Sequence, residues 1–105
     1  MKATYMKYVA VAMIAAAAAS PSIAADAAAG AKKIAVCAAC HGIDGQSSAP
    51  IYPNLAGQQA AYLELALKAY RDGNRNGGMS AVMTPQVKNM SDEDIADISA
   101  YYSAQ

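Results

Sequence analysis

The sequence predicts an all-α domain, and three observations carry this prediction. Residues 59–70 repeat apolar side chains at steps of three and four, which is the period of an amphipathic helix. Residues 91–103 open on Ser91, a favoured N-cap, and three acidic residues follow it, which suit the positive end of a helix dipole. No stretch alternates apolar and polar residues as a half-buried strand would.

A third helix is expected over residues 27–36, where Gly30 would allow a neighbouring helix to approach closely. Residues 42–58 are rich in Gly, Pro, Ser and Asn and are predicted to form a loop. Residues 79–89 are expected to be irregular and broken at Pro85. The prediction is therefore three main helices joined by long loops.

The length and composition limit the number of domains and the classes of function. The chain of 105 residues has room for one domain. Its eight basic and eight acidic residues give a net charge of zero, which argues against a nucleic-acid binder. Hydrophobic residues make up 55%, but much of this is alanine, and there is neither Phe nor Trp. Such a core would be thin unless a bulky apolar cofactor filled it.

Residues 1–24 have the pattern of a secretory signal peptide. Lys2 and Lys7 supply the positive start, an apolar run follows, and small residues end at a cleavage site after Ala24. The apolar run is short for a membrane span, so an uncleaved anchor is the less favoured alternative. Residues 25–105 would then form the exported domain, with six basic and eight acidic residues and a net charge of −2.

Both cysteines and the only histidine lie in one stretch, CAACH, as Cys37, Cys40 and His41. A thioredoxin-like redox pair would need a strand next to it, and the pattern predicts none. A structural zinc site would need a fourth ligand, which no other Cys or His supplies, and an Asp in that role would have an unusual spacing. A disulfide is the plain alternative. The spacing matches C-x-x-C-H, the signature of covalent haem c, so we predict one haem bonded to both thiols with His41 as an iron ligand.

Three segments extend this prediction to a family: GAKKIAVCAACHGIDGQSSAPIYPNLAGQ, YLELALKAYRDGNR and MSDEDIADISAYYSAQ. Together they resemble the small class I c-type cytochromes of the bacterial periplasm. The likeness is to the monohaem cytochrome c553 type and to each half of dihaem cytochrome c4, and it covers essentially the whole exported domain. It implies the cytochrome c fold, wrapped around one covalently bound haem, and a location in the periplasm.

The resemblance also implies a second iron ligand. Counting back from Ser91, the methionine ligand of the family falls on Met83. Pro85 would stiffen the backbone beside it. Met79 is the alternative, whereas Met90 is accounted for as a hydrophobic staple in front of the last helix.

One further site residue comes from the same resemblance. Pro53 matches the family proline whose carbonyl accepts a hydrogen bond from the ligand histidine, although a plain turn proline is its alternative. Arg75 could neutralise a haem propionate, but a solvated loop arginine is the simpler interpretation. Five residues are candidates either to line the haem pocket or to form ordinary core: Tyr52, Leu55, Tyr62, Leu63 and Leu67.

Histidine and methionine together would fill both axial positions of the iron, which predicts an electron carrier and not an enzyme. We expect a periplasmic carrier of one electron, shuttling between respiratory or dehydrogenase donors and an oxidase or reductase acceptor. Its partners would be those redox proteins in transient contact, with no nucleic acid and no stable membrane insertion after cleavage. Two alternatives are a haem subunit of a periplasmic oxidoreductase complex and a ligand-binding or peroxidatic haem protein with a displaceable sixth ligand.

Overall fold

A computed structural model describes residues 25–105, and within that range the secondary structure is helical, without a strand. The helices are α1 (Ala27–Ala31), α2 (Ala35–His41), α3 (Ala60–Arg71), α4 (Ser80–Val87) and α5 (Asp92–Ser103). The predicted all-α class is confirmed. None of these five helices has the length and apolar character needed to cross a bilayer. The predicted signal peptide, residues 1–24, lies outside the described residues.

Helices α3 and α5 begin and end within one residue of their predicted bounds, because local signals specify them. Ser91 Oγ accepts a hydrogen bond from the backbone N–H of Asp94 at 3.0 Å, and the Asp94 carboxylate accepts one from the Ser91 N–H at 3.1 Å. This capping box satisfies two N–H groups that a helix start leaves open. Helix α3 ends just before Gly73, whose φ of +79° suits glycine.

The single helix predicted over residues 27–36 is wrong, because two helices occupy this region and the second runs through the cysteine motif. The backbone N–H groups of Lys32 and Lys33 bond to carbonyls three residues back and so close α1. Ile34, only 5% exposed, then enters the core, and its carbonyl accepts the first hydrogen bonds of α2. Burial of this one side chain between the helices explains the break.

The irregular segment predicted over residues 79–89 is also wrong, because Ser80–Val87 forms α4 with Pro85 inside it. Proline removes one backbone donor, and α4 ends two residues later, so the loss is confined to its last turns. Val87 is 1% exposed, and α4 packs against α3. Tertiary packing therefore outweighs the local preference against a helix that contains proline.

The core lies where α3 and α5 meet the junction between α1 and α2. Ile34, Leu63, Ile98 and Tyr102 form its buried cluster. Gly30 lies directly against α5, since a Cβ atom at this position would be 2.1 Å from the Asp97 carbonyl oxygen. The close approach predicted for Gly30 is confirmed, and it brings the first and last helices of the described chain into backbone contact.

A polar cluster, which we call the terminal clasp, closes the same junction and consists of Asp26, Lys33, Asp94 and Asp97. The Asp97 side chain is 2% exposed and accepts hydrogen bonds from the Asp26 backbone N–H at 2.9 Å and from Lys33 Nζ at 2.8 Å. Lys33 Nζ also lies 3.0 Å from Asp94. The Lys33 hydrogen bond holds the pKa of the Asp97 carboxyl below its usual range.

Candidate functional site

A cavity of about 550 Å³ is lined by residues from α2, α3, α4, α5 and the loop after α2. Its volume falls within the roughly 300–1,000 Å³ of pockets that hold small molecules and cofactors. A second concave region of about 560 Å³ is lined by the other face of α4 and the glycine-rich turn before it. That region contains no Cys, His or Met, so the cavity at α2 is the candidate site.

Helix α2 brings the motif to this cavity. Cys37 and Cys40 are three residues apart on the helix, which places them on one face, and both line the cavity. Both are half-buried free thiols, so the disulfide alternative is not formed. Burial raises the pKa of the Cys37 thiol above its ordinary value. Over residues 25–105 no three Cys, His, Asp or Glu side chains gather as a metal-binding group, which gives the zinc alternative no support.

His41 closes α2 with its ring 6% exposed and fixed in orientation. Its Nδ1 lies 2.8 Å from the Pro53 carbonyl oxygen. A carbonyl can only accept, so Nδ1 carries a proton and donates, and in the neutral imidazole the lone pair is then on Nε2. This tautomer suits a metal ligand, because the hydrogen bond at one nitrogen orients the ring and strengthens donation from the other. The role of Pro53 beside a ligand histidine stays a prediction.

Two tyrosines of α5 hold the chain immediately after His41. Gly42 ends α2 with a φ of +82°, and the buried Tyr102 hydroxyl donates to its carbonyl at 2.9 Å. The Tyr101 hydroxyl donates to the carbonyl of Ile43. Burial raises the pKa of Tyr102 well above its ordinary value, so its hydroxyl remains a donor at neutral and mildly alkaline pH. The exit from α2 is thereby tied to the last helix.

The loop that carries Pro53 is braced by its own hydrogen bonds. Ser47 Oγ donates to the Tyr52 carbonyl at 2.6 Å, and the Ser47 N–H donates to Asn54 Oδ1 at 2.8 Å. These two bonds hold the residues on either side of Pro53. A third bond, from the Leu55 N–H to the Gly45 carbonyl at 2.8 Å, closes the base of the loop. The carbonyl that meets His41 is therefore fixed by the loop itself.

Helix α4 presents two thioethers to the same cavity. Met79, Val82, Met83 and Gln86 line it, at the three- and four-residue steps that share one helix face. Met83 lies in the second turn and is half-buried, whereas Met79 precedes the first turn and is 52% exposed. Met90 does not line the cavity and instead packs against the core cluster.

The rest of the lining is mostly apolar. All five residues proposed from sequence as pocket or core line the cavity, as does Arg75. Sequence reasoning did not assign thirteen further lining residues to the site: Val36, Ala39, Ile51, Asn54, Gln58, Ala66, Tyr70, Val82, Gln86, Val87, Ile98, Ser99 and Tyr102. The apolar spacing of α5 could have suggested Ile98 and Tyr102, whereas the three α4 residues depend on a helix that was not predicted. Two thiols, an imidazole nitrogen and two thioethers in an apolar enclosure fit a covalently bound haem.

Comparison with known proteins agrees with this geometry. The family model described as Cytochrome c matches residues 27–103. Cytochrome c-554(548) of Halomonas halodenitrificans is 68% identical over 80 residues, which cover 76% of this chain and 96% of that protein. Cytochrome c4 of Pseudomonas aeruginosa is 50% identical over 80 residues, again 76% of this chain but 38% of the relative.

A solved structure gives the same result for the fold. Cytochrome c4 of Acidithiobacillus ferrooxidans matches with a TM-score of 0.69 and 30% identity, covering 77% of this chain and 50% of that one. This chain thus spans at most half the length of the two cytochromes c4 but nearly all of the Halomonas protein. The helical fold, the cavity and the matched residues together establish that the chain belongs to the cytochrome c family, whose members bind haem c covalently, and that Cys37, Cys40 and His41 fit its attachment motif.

Proposed function

We propose that this chain is a periplasmic carrier of single electrons, with haem bonded to Cys37 and Cys40 and iron held by His41 and Met83. Membership of the family supports a haem-based electron carrier. The ligand set of His41 and Met83 is supported by the cavity that the two residues share. It is lined by His41 from α2, whose Nδ1 bonds to the Pro53 carbonyl, by Met83 from α4 and by Met79 just before α4.

The choice of Met83 over Met79 rests on placement as well as on the resemblance. Met83 sits inside the second turn of α4 and is already half-buried. Met79 precedes the helix, next to two glycines, and has about half of its surface exposed. A ligand held by a helix costs less conformational entropy to fix than one at a helix entrance. This argument favours Met83.

The residues around the iron position orient its ligand and keep the site apolar. The Pro53 carbonyl orients His41 and strengthens its donation. The apolar lining keeps water away, which is one of the ways a protein sets a haem potential. When bound, the haem supplies the one-electron couple of its iron. With His41 and Met83 both engaged, no open position is left for a substrate, so we infer a carrier and not an enzyme.

The location and the partners are part of the proposal. The pattern of residues 1–24 supports export. The periplasm is the compartment that the family resemblance implies, and transient contact with an electron donor and an electron acceptor follows from the carrier role. A quinol-oxidising complex or a dehydrogenase would be the donor, and an oxidase or reductase the acceptor.

The optical spectrum of the oxidised protein tests the ligand set. Methionine sulfur on ferric iron gives a weak red absorption band, which we expect in the unmodified protein. Met83→Leu should abolish the band and lower the reduction potential, because loss of a thioether ligand disfavours the reduced iron. Met79→Leu, on the same face of α4, is the matched control and should keep the band.

Two results would contradict the proposal. A band that disappears in Met79→Leu but survives in Met83→Leu would reverse the ligand assignment. Covalently bound haem without any such band, together with rapid carbon monoxide binding by the reduced protein, would indicate an open sixth position and favour the ligand-binding or peroxidatic alternative.

A further inference from the structure

Ser99 of α5 is 0% exposed, and its hydroxyl has no hydrogen-bond partner among residues 25–105. The other buried serine of that range, Ser80, is satisfied, because its Oγ donates to the Gly77 carbonyl at 2.6 Å and accepts from the Gly77 N–H at 3.1 Å. A serine inside a helix can bond back to the carbonyl four residues earlier, but Ser99 does not. Buried polar groups are nearly always hydrogen-bonded, so this exception requires an explanation.

The place of Ser99 in the fold is the haem cavity, which it lines together with Ile98 and Tyr102 of the same helix. It lies on the side of α5 opposite the terminal clasp, because two residues along a helix turn by about 200° and the Asp97 side chain bonds to Asp26 and Lys33. The unpaired hydroxyl therefore belongs to the side of the core that the cofactor completes.

Few acceptors in this cavity suit a fully buried hydroxyl. No Asp or Glu is among the described residues of its lining, and the Pro53 carbonyl already accepts from His41. The side-chain amides of the lining belong to exposed residues, which are Asn54, Gln58 and Gln86.

The sulfur of Met83 is an acceptor of a different kind. Met83 is half-buried in α4, and Val87, four residues later on the same face, is 1% exposed and lines the cavity as well. A thioether sulfur is a weak hydrogen-bond acceptor. It has two lone pairs, so a methionine that binds iron through one of them keeps the other for a donor.

We propose that in the haem-loaded protein the Ser99 hydroxyl donates a hydrogen bond to the sulfur of Met83 and thereby raises the reduction potential. This inference rests on the proposed function. The hydrogen bond draws electron density away from the sulfur, which disfavours the oxidised iron because that state carries one more positive charge than the reduced iron. Ser99 is then a positioning residue that acts on the iron through its ligand.

The melting temperature of the haem-loaded protein tests whether the hydroxyl is paired. Ser99→Ala removes it, and Ser103→Ala is the matched control, since Ser103 is a half-buried serine of the same helix outside the cavity. Alanine is the better helix former in both variants. Removal of an unpaired buried hydroxyl should raise the melting temperature, whereas removal of a paired one should lower it. We expect Ser99→Ala to melt below the unmodified protein and Ser103→Ala to melt at or above it.

The reduction potential and the red band identify the acceptor. Ser99→Ala should lower the potential and shift the band, and Ser103→Ala should change neither. In the Met83→Leu background the acceptor is absent, so Ser99→Ala should leave the potential unchanged and should raise the melting temperature instead of lowering it. Ser99→Thr keeps a hydroxyl and should retain more of the potential than Ser99→Ala does.

The proposal is overturned if Ser99→Ala raises the melting temperature of the haem-loaded protein that retains Met83. It is also overturned if Ser99→Ala shifts the potential equally with and without Met83, or leaves the red band unmoved, since the hydroxyl would then bond to a water molecule or to another atom. These results leave the carrier function intact, provided that the unmodified protein shows the red band and Met83→Leu loses it. Survival of the band in Met83→Leu would instead defeat the ligand assignment of the proposed function, and the acceptor with it.

Discussion

The two sides of the core are built in different ways. On one side, α1 and α5 meet through Gly30 against the Asp97 backbone, and the terminal clasp pairs a buried carboxylate with two donors. On the other side, α4 and the loop of residues 42–58 present side chains to a cavity of about 550 Å³. The first side is completed by the chain itself, whereas the second is completed by its cofactor.

This difference has an energetic meaning. The buried hydrophobic residues of the described chain are few: Ile34, Leu63, Val87, Ile95, Ala96, Ile98 and Tyr102. A domain of this size buries only a modest fraction of its surface and is marginal on its own. A ligand that binds the folded state alone adds its binding free energy to stability. The haem is thus expected to act as the missing part of the core.

The largest effect is expected when the covalent anchor is removed. In the double variant Cys37→Ala/Cys40→Ala the cavity side loses its filling, and the clasp side is too small to stay folded alone. We expect loss of most of the helical circular dichroism and of a cooperative thermal transition. Ala35→Ser, at an exposed position of the same helix, is the control and should melt like the unmodified protein. A haem-free double variant that keeps the original melting temperature would refute the dependence on the cofactor.

The clasp side is most sensitive at Gly30. An alanine Cβ would lie 2.1 Å from the Asp97 carbonyl oxygen and 2.7 Å from its carbon, and both are backbone atoms that cannot swing aside. Gly30→Ala should therefore lower the free energy of unfolding by about 3 kcal/mol in denaturant titrations. Gly77→Ala, where nothing lies within 4 Å and φ is not in the left-handed region, should be nearly neutral. An equal effect at both positions would mean that the helices slide apart without cost.

The terminal clasp should make stability depend on acid pH through Asp97. Its folded pKa is lowered by Lys33, so its contribution is present above the ordinary value of about 3.9 and is lost as pH falls through the folded value. Asp97→Asn should lower the melting temperature by several degrees near pH 7, and the difference from the unmodified protein should shrink below pH 4. Glu93→Gln, exposed on the same helix, is the control. A difference that stays constant down to pH 2 would contradict this role.

The smallest of these effects is expected at the tyrosine that joins the two sides. Tyr102→Phe removes the hydrogen bond to the carbonyl of Gly42, the residue directly after His41, and should cost about 0.5–1 kcal/mol in the free energy of unfolding. Tyr101 is less buried than Tyr102, so Tyr101→Phe should lower the free energy of unfolding by less. If Tyr101→Phe has the larger effect on the free energy of unfolding, the link between α5 and the exit from α2 runs through Ile43 instead.

The sequence predicted those parts of the fold whose signals are local. The cap at Ser91 and the periodicity of α3 located two helices to within one residue. Helix α4 could not be predicted in this way, because Pro85 argues against it and only packing of Val87 and contact with α3 favour it. The break between α1 and α2 has the same origin, since burial of Ile34 depends on helices distant in sequence.

The candidate site also has parts that a local motif predicts and parts that depend on tertiary packing. The spacing of Cys37, Cys40 and His41 is a local motif, and the structure places all three at one cavity. The choice of Met83 over Met79 came chiefly from the resemblance, because the pattern did not reveal α4, which begins just after Met79 and contains Met83. The orientation of Arg75 over Tyr70 depends on how the chain turns after α3, which spacing does not describe.

The contacts of α5 also bear on the order of events during folding. Tyr102 bonds to a residue 60 positions earlier and Asp97 to one 71 positions earlier, so both links close long loops. Closures over such distances are slow compared with helix formation. We therefore expect Cys37 and Cys40 to stay reachable for covalent attachment until α5 has formed and its tyrosines hold the segment beside them.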